Sequence, residues 1–286
     1  MGTTLKDLQT PRKSTWCPGC GNFGILTAVK SAIVDSGLDR EKLCLVSGIG
    51  CHGKMIDYVN INGFHSIHGR VLPLATGITL ANPDLKVIGF SGDGDCYDEG
   101  WDHFVHAIRR NINMTLLVHD NMVFGLTTGQ TTATTSVGFK SKSTPYGALV
   151  PPINPLAHAL VSNATFVARG YVGETRHLQN LIVQAIKHKG FGYIDILQVC
   201  VSFNYLNTYD WYRQRVYKLE DKGHDFTDRK KALEKCFEWG DHIPIGLFYK
   251  EQRPTYYENL PHVKGVNLAR SSLEGTDISS LLEEMK

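Results

Sequence analysis

Short runs of consecutive apolar residues recur through the first two hundred positions of the chain, and stretches with helical periodicity separate them. Each run has the length and the continuous apolar character of a strand that is buried on both faces of a parallel sheet. The predicted strands lie at residues 43–47, 87–90, 114–118, 166–170 and 193–197. The predicted helices lie at residues 22–36, around 75–77, and at 98–110, 156–164 and 177–189. This alternation predicts an α/β fold with a doubly wound, mainly parallel sheet and helices on both of its faces.

Two of the predicted strands end in oxygen-bearing side chains. The first runs into Gly92-Asp93-Gly94, the second ends in Asp120-Asn121, and 25 residues separate the two motifs. Because the carboxyl ends of parallel strands meet at one edge of a sheet, Asp93 and Asn121 should lie together, as ligands of a Mg²⁺ that holds a diphosphate. A lone turn of this kind would suggest an ordinary strand–turn–helix. The paired spacing instead resembles the thiamine-diphosphate motif, with Asp120 in place of the usual Asn.

Composition narrows the class of protein. The chain has 286 residues, of which 42% are hydrophobic and 20% charged, values typical of a soluble globular protein with a full core. No apolar run approaches the roughly 20 residues of a membrane span. Residues 1–6 lack the apolar core of a signal peptide, so we expect a cytoplasmic protein. A net charge of +2 argues against general nucleic-acid binding, and seven cysteines indicate metal or redox chemistry before disulfides.

Four of the seven cysteines lie where α/β proteins place ligands. Cys17 and Cys20 form a Cys-x-x-Cys knuckle before the first predicted helix, whereas Cys51 and Cys200 each follow a predicted strand. Four such thiols suit either a tetrahedral zinc ion or a [4Fe–4S] cluster. Taken alone, the pattern favours zinc. Beside a thiamine-diphosphate site the [4Fe–4S] interpretation is more strongly favoured, because a cluster can accept electrons one at a time. The remaining cysteines are predicted to be packing residues: Cys44, Cys96 and Cys236.

Eight segments within residues 16–248 together carry a resemblance to a known family. They are Trp-Cys-Pro-Gly-Cys-Gly-Asn-Phe-Gly, Ser-Gly-Ile-Gly-Cys-His-Gly-Lys, Ile-His-Gly-Arg, Ala-Thr-Gly-Ile, Leu-Ala-Asn-Pro-Asp-Leu, Ser-Gly-Asp-Gly-Asp, Gly-Leu-Thr-Thr-Gly-Gln and Trp-Gly-Asp-His-Ile-Pro-Ile-Gly. In this combination the chain resembles the β subunits of two-component 2-oxoacid:ferredoxin oxidoreductases. Val199 departs from the family pattern, which commonly has Pro before the fourth cysteine. The cysteine is kept, but its loop should be less rigid.

The resemblance implies a reaction and a set of site residues. A 2-oxoacid, CoA and two oxidised ferredoxins would give an acyl-CoA, CO₂ and two reduced ferredoxins, with thiamine diphosphate, Mg²⁺ and one [4Fe–4S] cluster as cofactors. The implied metal ligands are Cys17, Cys20, Cys51 and Cys200 for the cluster, and Asp93, Asn121 and the Val123 carbonyl for Mg²⁺. The implied coenzyme-lining residues are Ile49, His68, Gly92, Asp93, Gly94, Asp95, Gly125, Leu126 and Thr127. The predicted catalytic side chains are Ile49, His68, Lys54 and Leu126.

Some of these residues have ordinary alternatives. His68 could be a core histidine bonded to the backbone, although Gly69-Arg70 opens a helix whose N-terminus favours the diphosphate. Lys54 could meet a substrate carboxylate or could be a solvated lysine, and both interpretations stay open. The stretch at residues 127–155, rich in Thr, Ser, Gly and Pro, is long for a plain connection and is expected to serve the site.

One essential group is missing from the predicted site. Thiamine activation needs a carboxylate against the aminopyrimidine, and in this fold a second, pyrimidine-binding domain supplies it. The resemblance therefore implies an α subunit, or a fused α/γ subunit, that provides this glutamate in a heterodimer or a dimer of heterodimers. We expect residues 1–203 to form the cofactor-binding domain. Residues 204–286 are expected to form an extension that packs on the core or on the partner subunit.

Two other functions fit part of the pattern. A non-redox thiamine-dependent decarboxylase or synthase subunit would keep Asp93 and Asn121 but would have no use for four thiols. A zinc-stabilised binding subunit without catalysis is the alternative from another class. The absorption spectrum of anaerobically purified protein would separate all three.

Overall fold

Ten strands and nine α-helices form within residues 2–263 and 265–286, the part of the chain that the computed structural model describes. The strands are β1 (Leu43–Ser47), β2 (Gly63–His65), β3 (Lys86–Gly92), β4 (Met114–Asp120), β5 (Val123–Phe124), β6 (Gln130–Thr131), β7 (Phe166–Tyr171), β8 (Phe191–Leu197), β9 (Val216–Lys218) and β10 (Ile243–Lys250). The helices are α1 (Asn22–Ser36), α2 (Met55–Tyr58), α3 (Val71–Ala81), α4 (Trp101–Arg110), α5 (Pro155–Val161), α6 (Thr175–Lys187), α7 (Tyr209–Arg213), α8 (Arg229–Cys236) and α9 (Ser279–Glu284).

Eight of the strands form one sheet in the order β2-β1-β3-β4-β8-β7-β10-β9, and β5 pairs separately with β6. Neighbouring strands of the large sheet run parallel, except that β10 is antiparallel to β7. β1, β4, β7 and β8 are buried at every position, as expected of strands covered on both faces. The carboxyl ends of β1, β3, β4 and β8 therefore lie side by side at one edge of the sheet.

Helices cover both faces of this sheet. Successive strand residues point to opposite faces, so Leu45 packs in the core beneath α1 and α6, while Val46 packs in the core beneath α3, α4, α5 and α8. The doubly wound, mainly parallel α/β architecture predicted from the sequence is confirmed. Within residues 2–263 and 265–286, every helix is too short or too polar to cross a lipid bilayer.

The five predicted strands agree with the structure to within two residues at each end. The prediction for α1 is also confirmed, because Gly37 ends it in the left-handed conformation, with φ 73°. The predicted start of the helix at residues 98–110 is wrong. α4 begins at Trp101, and the preceding residues Gly94–Asp98 form one π-helical turn directly after β3. This wide turn carries the Asp95 side chain inward, toward the loop that follows β1.

Residues beyond 203 add β9 and β10 to the same sheet. Tyr212 and Phe248 are completely buried, so the part of the predicted extension that holds these strands packs on the core. The sequence pattern did not indicate β10, because Pro244 and Gly246 argue against a strand inside a sheet. The described residues after 260 are mostly exposed. The division at residue 203 and a contact between the extension and a partner stay predictions.

Candidate functional site

The predicted Mg²⁺ ligands lie side by side at the carboxyl edge of the sheet. β3 and β4 pair in parallel as far as Gly92 and His119, so Asp93 and Asn121 leave the sheet at neighbouring points. Both are buried, with 2% and 8% of their surface exposed. One cavity is lined by all of the coenzyme residues that the resemblance implied: Ile49, His68, Gly92, Asp93, Gly94, Asp95, Asn121, Val123, Gly125, Leu126 and Thr127.

Threonines from the loop after β6, which the sequence analysis did not single out, hold Asp93 in place. The hydroxyls of Thr132 and Thr134 donate to Asp93 Oδ2 at 2.6 and 2.9 Å. Burial raises the pKa of Asp93 to about 6, although these hydrogen bonds act in the opposite direction. A divalent cation would favour the charged carboxylate, so this environment fits Asp93 as a metal ligand. The one signal in the sequence was the density of threonine, six residues between 127 and 135.

Thr134 lies between two carboxyl groups. Its Oγ1 is 2.9 Å from Oδ2 of Asp93 and 2.9 Å from Oδ1 of Asp120. A hydroxyl has one proton and can donate to only one of them. Burial, followed by the charges of Asp195 and Asp93, raises the pKa of Asp120 well above its usual range. The backbone N–H of Met122 donates to the same Asp120 oxygen at 3.2 Å.

The carboxylate of Asp95 is used by the protein itself. Oδ1 accepts hydrogen bonds from the backbone N–H groups of Gly69 at 2.9 Å and Ile49 at 3.2 Å, and Oδ2 accepts from the Ser91 hydroxyl at 2.5 Å. Burial alone would raise the pKa of Asp95, but the hydrogen bond and charge of His52, with the bonds from Gly69 and Ser91, lower it to about 2. Asp95 therefore joins the loop after β1 to the loop before α3. Its contact with a cofactor stays a prediction.

Two histidines flank Asp95. His68 Nδ1 lies 3.1 Å from Asp95 Oδ1, and His52 Nε2 lies 3.4 Å from Asp95 Oδ2. The His68 side chain is 35% exposed and lines the cofactor cavity beside Phe124, whereas the His52 side chain is 5% exposed. The group that faces His68 Nδ1 is thus a carboxylate, but this nitrogen makes no hydrogen bond among the described residues. The contact of His68 with a diphosphate stays a prediction.

A second cavity, of ≈ 180 Å³, is lined by the four thiols predicted as cluster ligands: Cys17, Cys20, Cys51 and Cys200. This thiol cavity adjoins the cofactor cavity, and the two share Cys51, Asn121, Gly125 and Leu126 as lining residues. The Sγ atoms of Cys200 and Cys51 lie 3.5 and 3.8 Å from the position that a Cβ on Gly125 would occupy. Gly125 therefore leaves open space beside both thiols.

The spacing of these thiols bears on which metal they suit. In the part of the chain that the structure describes, no three His, Cys, Asp or Glu side chains are close enough together to hold a single metal ion. A tetrahedral zinc site would need sulfur atoms about 3.8 Å apart, from Zn–S bonds of about 2.3 Å. A four-iron cluster is larger than one ion and is bound by cysteines that lie further apart. Four thiols around one cavity suit a cluster, and its presence in this chain stays a prediction.

Burial favours the protonated form of two of the thiols, Cys20 and Cys51. It raises the pKa of Cys20 to about 11 and that of Cys51 to about 11, and nearby Cys200 and Cys17 add to the effect at both positions. Metal binding would displace these protons. Lys54 lines the thiol cavity and acts in the opposite direction on the pKa of Cys51. The contact of Lys54 with a substrate stays a prediction.

Gln198, which the sequence analysis also did not single out, connects the two cavities. Its Oε1 accepts a hydrogen bond from the Asn121 amide at 3.0 Å, and its Nε2 donates to the Cys20 sulfur at 3.5 Å. The backbone N–H of Gly21 donates to the Val199 carbonyl at 3.0 Å, which fixes the knuckle before α1 to the end of β8. The one available signal was the place of Gln198, at a strand end and two residues before Cys200.

Two stretches of the chain match known families. Residues 48–196 match the family described as “Thiamine pyrophosphate enzyme, C-terminal TPP binding domain”. Residues 200–265 match the family that describes the C-terminal part of the “Pyruvate ferredoxin oxidoreductase beta subunit”. The first match includes β3, β4 and both predicted Mg²⁺ ligands. The parallel sheet, the paired motifs at its carboxyl edge and this match define a thiamine-diphosphate-binding α/β protein.

Relatives of known identity narrow this class. The chain is 47% identical to the 2-oxoacid:ferredoxin oxidoreductase subunit beta of Sulfolobus sp over 264 residues, which cover 88% of this chain and 87% of that protein. It is 44% identical to the subunit of the same name from Saccharolobus solfataricus, over 95% of this chain and 96% of the relative. A solved 2-oxoglutarate:ferredoxin oxidoreductase from Magnetococcus marinus matches with a TM-score of 0.90 and 37% identity, over 99% of this chain and 96% of that chain. The chain belongs to the β subunits of the 2-oxoacid:ferredoxin oxidoreductase family.

Proposed function

We propose that this β subunit, together with an α subunit, oxidatively decarboxylates a 2-oxoacid. The balanced reaction consumes the 2-oxoacid, CoA and two oxidised ferredoxins, and gives an acyl-CoA, CO₂, two reduced ferredoxins and a proton. The observation that supports it best is the contact between the cofactor cavity and the thiol cavity, which share Cys51, Asn121, Gly125 and Leu126. A non-redox thiamine enzyme would have no use for four thiols beside its cofactor.

Different residues of the cofactor cavity would hold different parts of the coenzyme. Thiamine diphosphate, when bound, supplies the carbanion chemistry that releases CO₂, and a [4Fe–4S] cluster supplies a one-electron acceptor. Asp93, Asn121 and the Val123 carbonyl would hold Mg²⁺ and thereby the diphosphate. His68, whose Nδ1 lies 3.1 Å from Asp95 Oδ1, would donate from Nε2 to a diphosphate oxygen. The wall of the coenzyme site would be formed by Ile49, Gly92, Gly94, Gly125, Leu126 and Thr127.

The thiol cavity would hold the cluster through Cys17, Cys20, Cys51 and Cys200. Three features of the chain support this role. The four thiols line one cavity, Gly125 leaves space beside two of them, and Gln198 donates a hydrogen bond to the Cys20 sulfur. A hydrogen bond to a ligating sulfur is one of the means by which proteins set the potential of a cluster. Because the thiols lie against the coenzyme site, the distance for electron transfer from the coenzyme to the cluster would be short.

A partner subunit would complete the cofactor cavity. Ile67, next to His68, is 73% exposed, and Leu126, on the cavity wall, is 52% exposed. Exposed apolar side chains around a binding cavity suit a surface that a partner covers. The α subunit would supply the glutamate that activates thiamine, in a heterodimer or a dimer of heterodimers, and ferredoxin would take the electrons. The Magnetococcus marinus structure is described with 2-oxoglutarate, coenzyme A and succinyl-CoA bound, which supports a 2-oxoacid and CoA as substrates here.

Anaerobic purification of the chain with and without its α subunit tests the proposal. We expect a brown protein with a broad absorption band near ~400 nm that dithionite bleaches, and about four irons per chain. The complex should reduce ferredoxin only when a 2-oxoacid and CoA are both present, and the chain alone should be inactive. A colourless protein with stoichiometric zinc would contradict the cluster. Release of CO₂ without reduction of any acceptor would favour the non-redox alternative.

A further inference from the structure

A third cavity, of ≈ 320 Å³, lies on the face of the sheet that α4, α5 and α8 cover. It shares no lining residue with the cofactor cavity or the thiol cavity. Its floor is formed at the carboxyl ends of β4, β8 and β7, which is where open α/β sheets bind ligands. Phe237 and Trp239, from the segment after α8, line it and are 67% and 41% exposed, so the cavity opens to solvent beside them. We name it the Arg169 cavity.

Arg169 is the charged group at the floor of this cavity. It is 3% exposed, and its Nε and Nη1 atoms have no hydrogen-bond partner among the described residues. The nearest carboxylate oxygen, Oδ2 of Asp195, is 3.5 Å from Nε. The guanidinium also lies 5.3 Å from the ring of Trp239 and 5.6 Å from that of Phe248. A buried guanidinium with two nitrogens that make no hydrogen bond can take an acceptor from outside the chain, even beside Asp195.

The other walls of the cavity indicate what that acceptor is attached to. Met122, Ile153, Phe237 and Trp239 present apolar surface. Asp195, the carboxyl group beside Arg169, also lines the cavity, so a doubly charged anion would be repelled. A planar carboxylate, by contrast, matches the fork of a guanidinium and brings only one negative charge.

We propose that the Arg169 cavity binds a small organic monocarboxylate, with its carboxylate on the guanidinium of Arg169 and its apolar body between Met122, Ile153 and Trp239. The volume of the cavity falls within the range of small-molecule sites, about 300–1,000 Å³. The bound molecule also reaches Thr134, whose hydroxyl bonds Asp93.

Calorimetric titration with phenylacetate tests this proposal on the full chain purified with its α subunit. Phenylacetate carries one carboxylate on an apolar ring, and phenylacetamide is its neutral counterpart of nearly equal shape. We expect one phenylacetate per chain and at least ten-fold weaker binding of phenylacetamide, because a charge-assisted hydrogen bond is lost. Equal binding of the acid and the amide would overturn the proposal, and so would the lack of binding at millimolar concentration.

Variants assign the binding to this cavity rather than to the cofactor cavity. Arg169→Gln should weaken phenylacetate ten-fold or more, whereas Arg215→Gln should not, since Arg215 stacks on Trp211 outside the cavity. Phe237→Glu places a negative charge at the exposed mouth without disturbing the core, and should weaken phenylacetate several-fold. Phe237→Lys, its matched control, should bind at least as tightly as the native protein. If Phe237→Glu and Phe237→Lys bind phenylacetate equally, the site lies elsewhere. This comparison holds even if Arg169→Gln does not fold.

Discussion

At the level of single residues, one hydroxyl lies between the two buried carboxyl groups at the predicted Mg²⁺ site. Thr134 bonds both Asp93 and Asp120, and both carboxyl groups are buried. Thr134→Val keeps the shape of the side chain but removes the bridge between them. Each carboxyl oxygen keeps one other donor, the Thr132 hydroxyl for Asp93 and the Met122 N–H for Asp120, so the cost is that of one lost hydrogen bond, about 0.5–1.5 kcal/mol. We therefore expect the free energy of unfolding, measured in urea with EDTA present, to fall by that amount.

The matched control for this variant is Thr27→Val. Thr27 is exposed on α1 and bonds only the carbonyl of Phe23 one turn earlier. Its substitution should change the free energy of unfolding by less than about 0.5 kcal/mol. If the two valine variants are equally stable, Thr134 does not hold the two carboxyl groups together.

Asp93→Ala and Asn121→Ala should each abolish turnover and leave the iron content unchanged. Both side chains lie at the end of the cofactor cavity where Mg²⁺ would bind, and neither supplies a thiol. Isothermal calorimetry with thiamine diphosphate and Mg²⁺ should show no binding to either variant. Asp102→Ala, at an exposed position on α4, is the control and should bind normally. Thiamine diphosphate that still binds both variants tightly would contradict the ligand assignment.

These residues also show what sequence alone can and cannot predict. Asp93 and Asn121 were predictable because each motif is local to a strand end and a parallel sheet must bring the ends together. Thr134 and Gln198 were not, since their contacts depend on how a loop and a strand end fold against residues far away in the chain. The contact of Asp95 with the cofactor stays a prediction, but the sequence did not indicate that the π-helical turn points its carboxylate at the N–H groups of Ile49 and Gly69.

At the level of elements, the knuckle before α1 fits tightly against the end of β8. A Cβ on Gly21 would lie 2.8 Å from Cγ of Gln198 and 2.9 Å from the backbone nitrogen of Val199. Backbone cannot move aside without disturbing β8, so Gly21→Ala should lower the free energy of unfolding by about 1–3 kcal/mol. Because Cys20 precedes Gly21, the iron content of the anaerobic protein should fall as well.

Gly77→Ala is the control for a glycine without such a contact. Gly77 lies inside α3, is exposed, and has no atom within 4 Å of the position that its Cβ would take. Alanine is a better helix former than glycine by about 0.8–1 kcal/mol, so this variant should be slightly more stable than the native protein. Urea unfolding and iron analysis compare the pair. A Gly21→Ala protein with native stability and full iron would show that the knuckle is not fixed to β8.

At the opposite edge of the sheet, the buried side chain of His188, just after α6, makes the free energy of unfolding depend on pH. His188 is 2% exposed, and its Nε2 lies 2.9 Å from the Thr165 hydroxyl. Burial, followed by the charges of Lys86 and Lys250, lowers the pKa of His188 from 6.5 to about 4. The unfolded chain therefore takes up this proton first as the pH falls below 6.5, and the folded protein only near pH 4. Such a shift corresponds to about 3 kcal/mol of stability lost between these two values.

His188→Gln should remove this part of the acid sensitivity. Glutamine does not titrate, so its contribution to the free energy of unfolding is the same at pH 7 and at pH 4.5. Urea unfolding at several pH values between 7 and 4 should show a smaller loss of stability for the variant than for the native protein. Equal losses in the two proteins would mean that His188 takes up its proton in the folded state as readily as in the unfolded chain.

Three strands of the large sheet, β2, β9 and β10, were not predicted from the sequence, and in each the local sequence does not favour a strand. β2 and β9 each have only three residues, too few to show a period, and they lie at the two edges of the sheet. β10 contains Pro244 and Gly246, and Gly246 has a φ of 126°, which favours glycine. These strands form because the pairing partner is already in place, so tertiary context rather than local preference decides their structure.

At the level of the whole molecule, the sheet brings together groups that the chain keeps far apart. The knuckle at residues 17–20, the loop after β1 and the end of β8 meet around the thiol cavity, and the turn after β3 meets them across the shared wall. Neither cavity is complete within one segment of sequence. An intact fold is thus a condition for both sites, and a ligand that bridges the segments should stabilise the fold in return.

This reciprocity leads to the prediction that the four thiols act as one unit. Cys17, Cys20, Cys51 and Cys200 line one cavity, although they are spread from residue 17 to residue 200. A cluster held by all four would tie the N-terminal knuckle to the last parallel strand. Serine at any one of them should therefore lower the iron content, the rate of ferredoxin reduction and the thermal unfolding temperature together.

Cys44 supplies the control, because it is buried in β1 and lines neither cavity. Cys44→Ser should keep its iron and most of its activity, whatever it loses in stability by placing a hydroxyl in the core. The measurement is iron and sulfide per chain, beside 2-oxoacid-dependent reduction of ferredoxin, for all five variants purified without oxygen. A Cys200→Ser protein with full iron, beside a Cys44→Ser protein without it, would exclude Cys200 as the fourth ligand. It would also separate the end of β8 from the metal site, since no other cysteine lies near that strand end in the sequence.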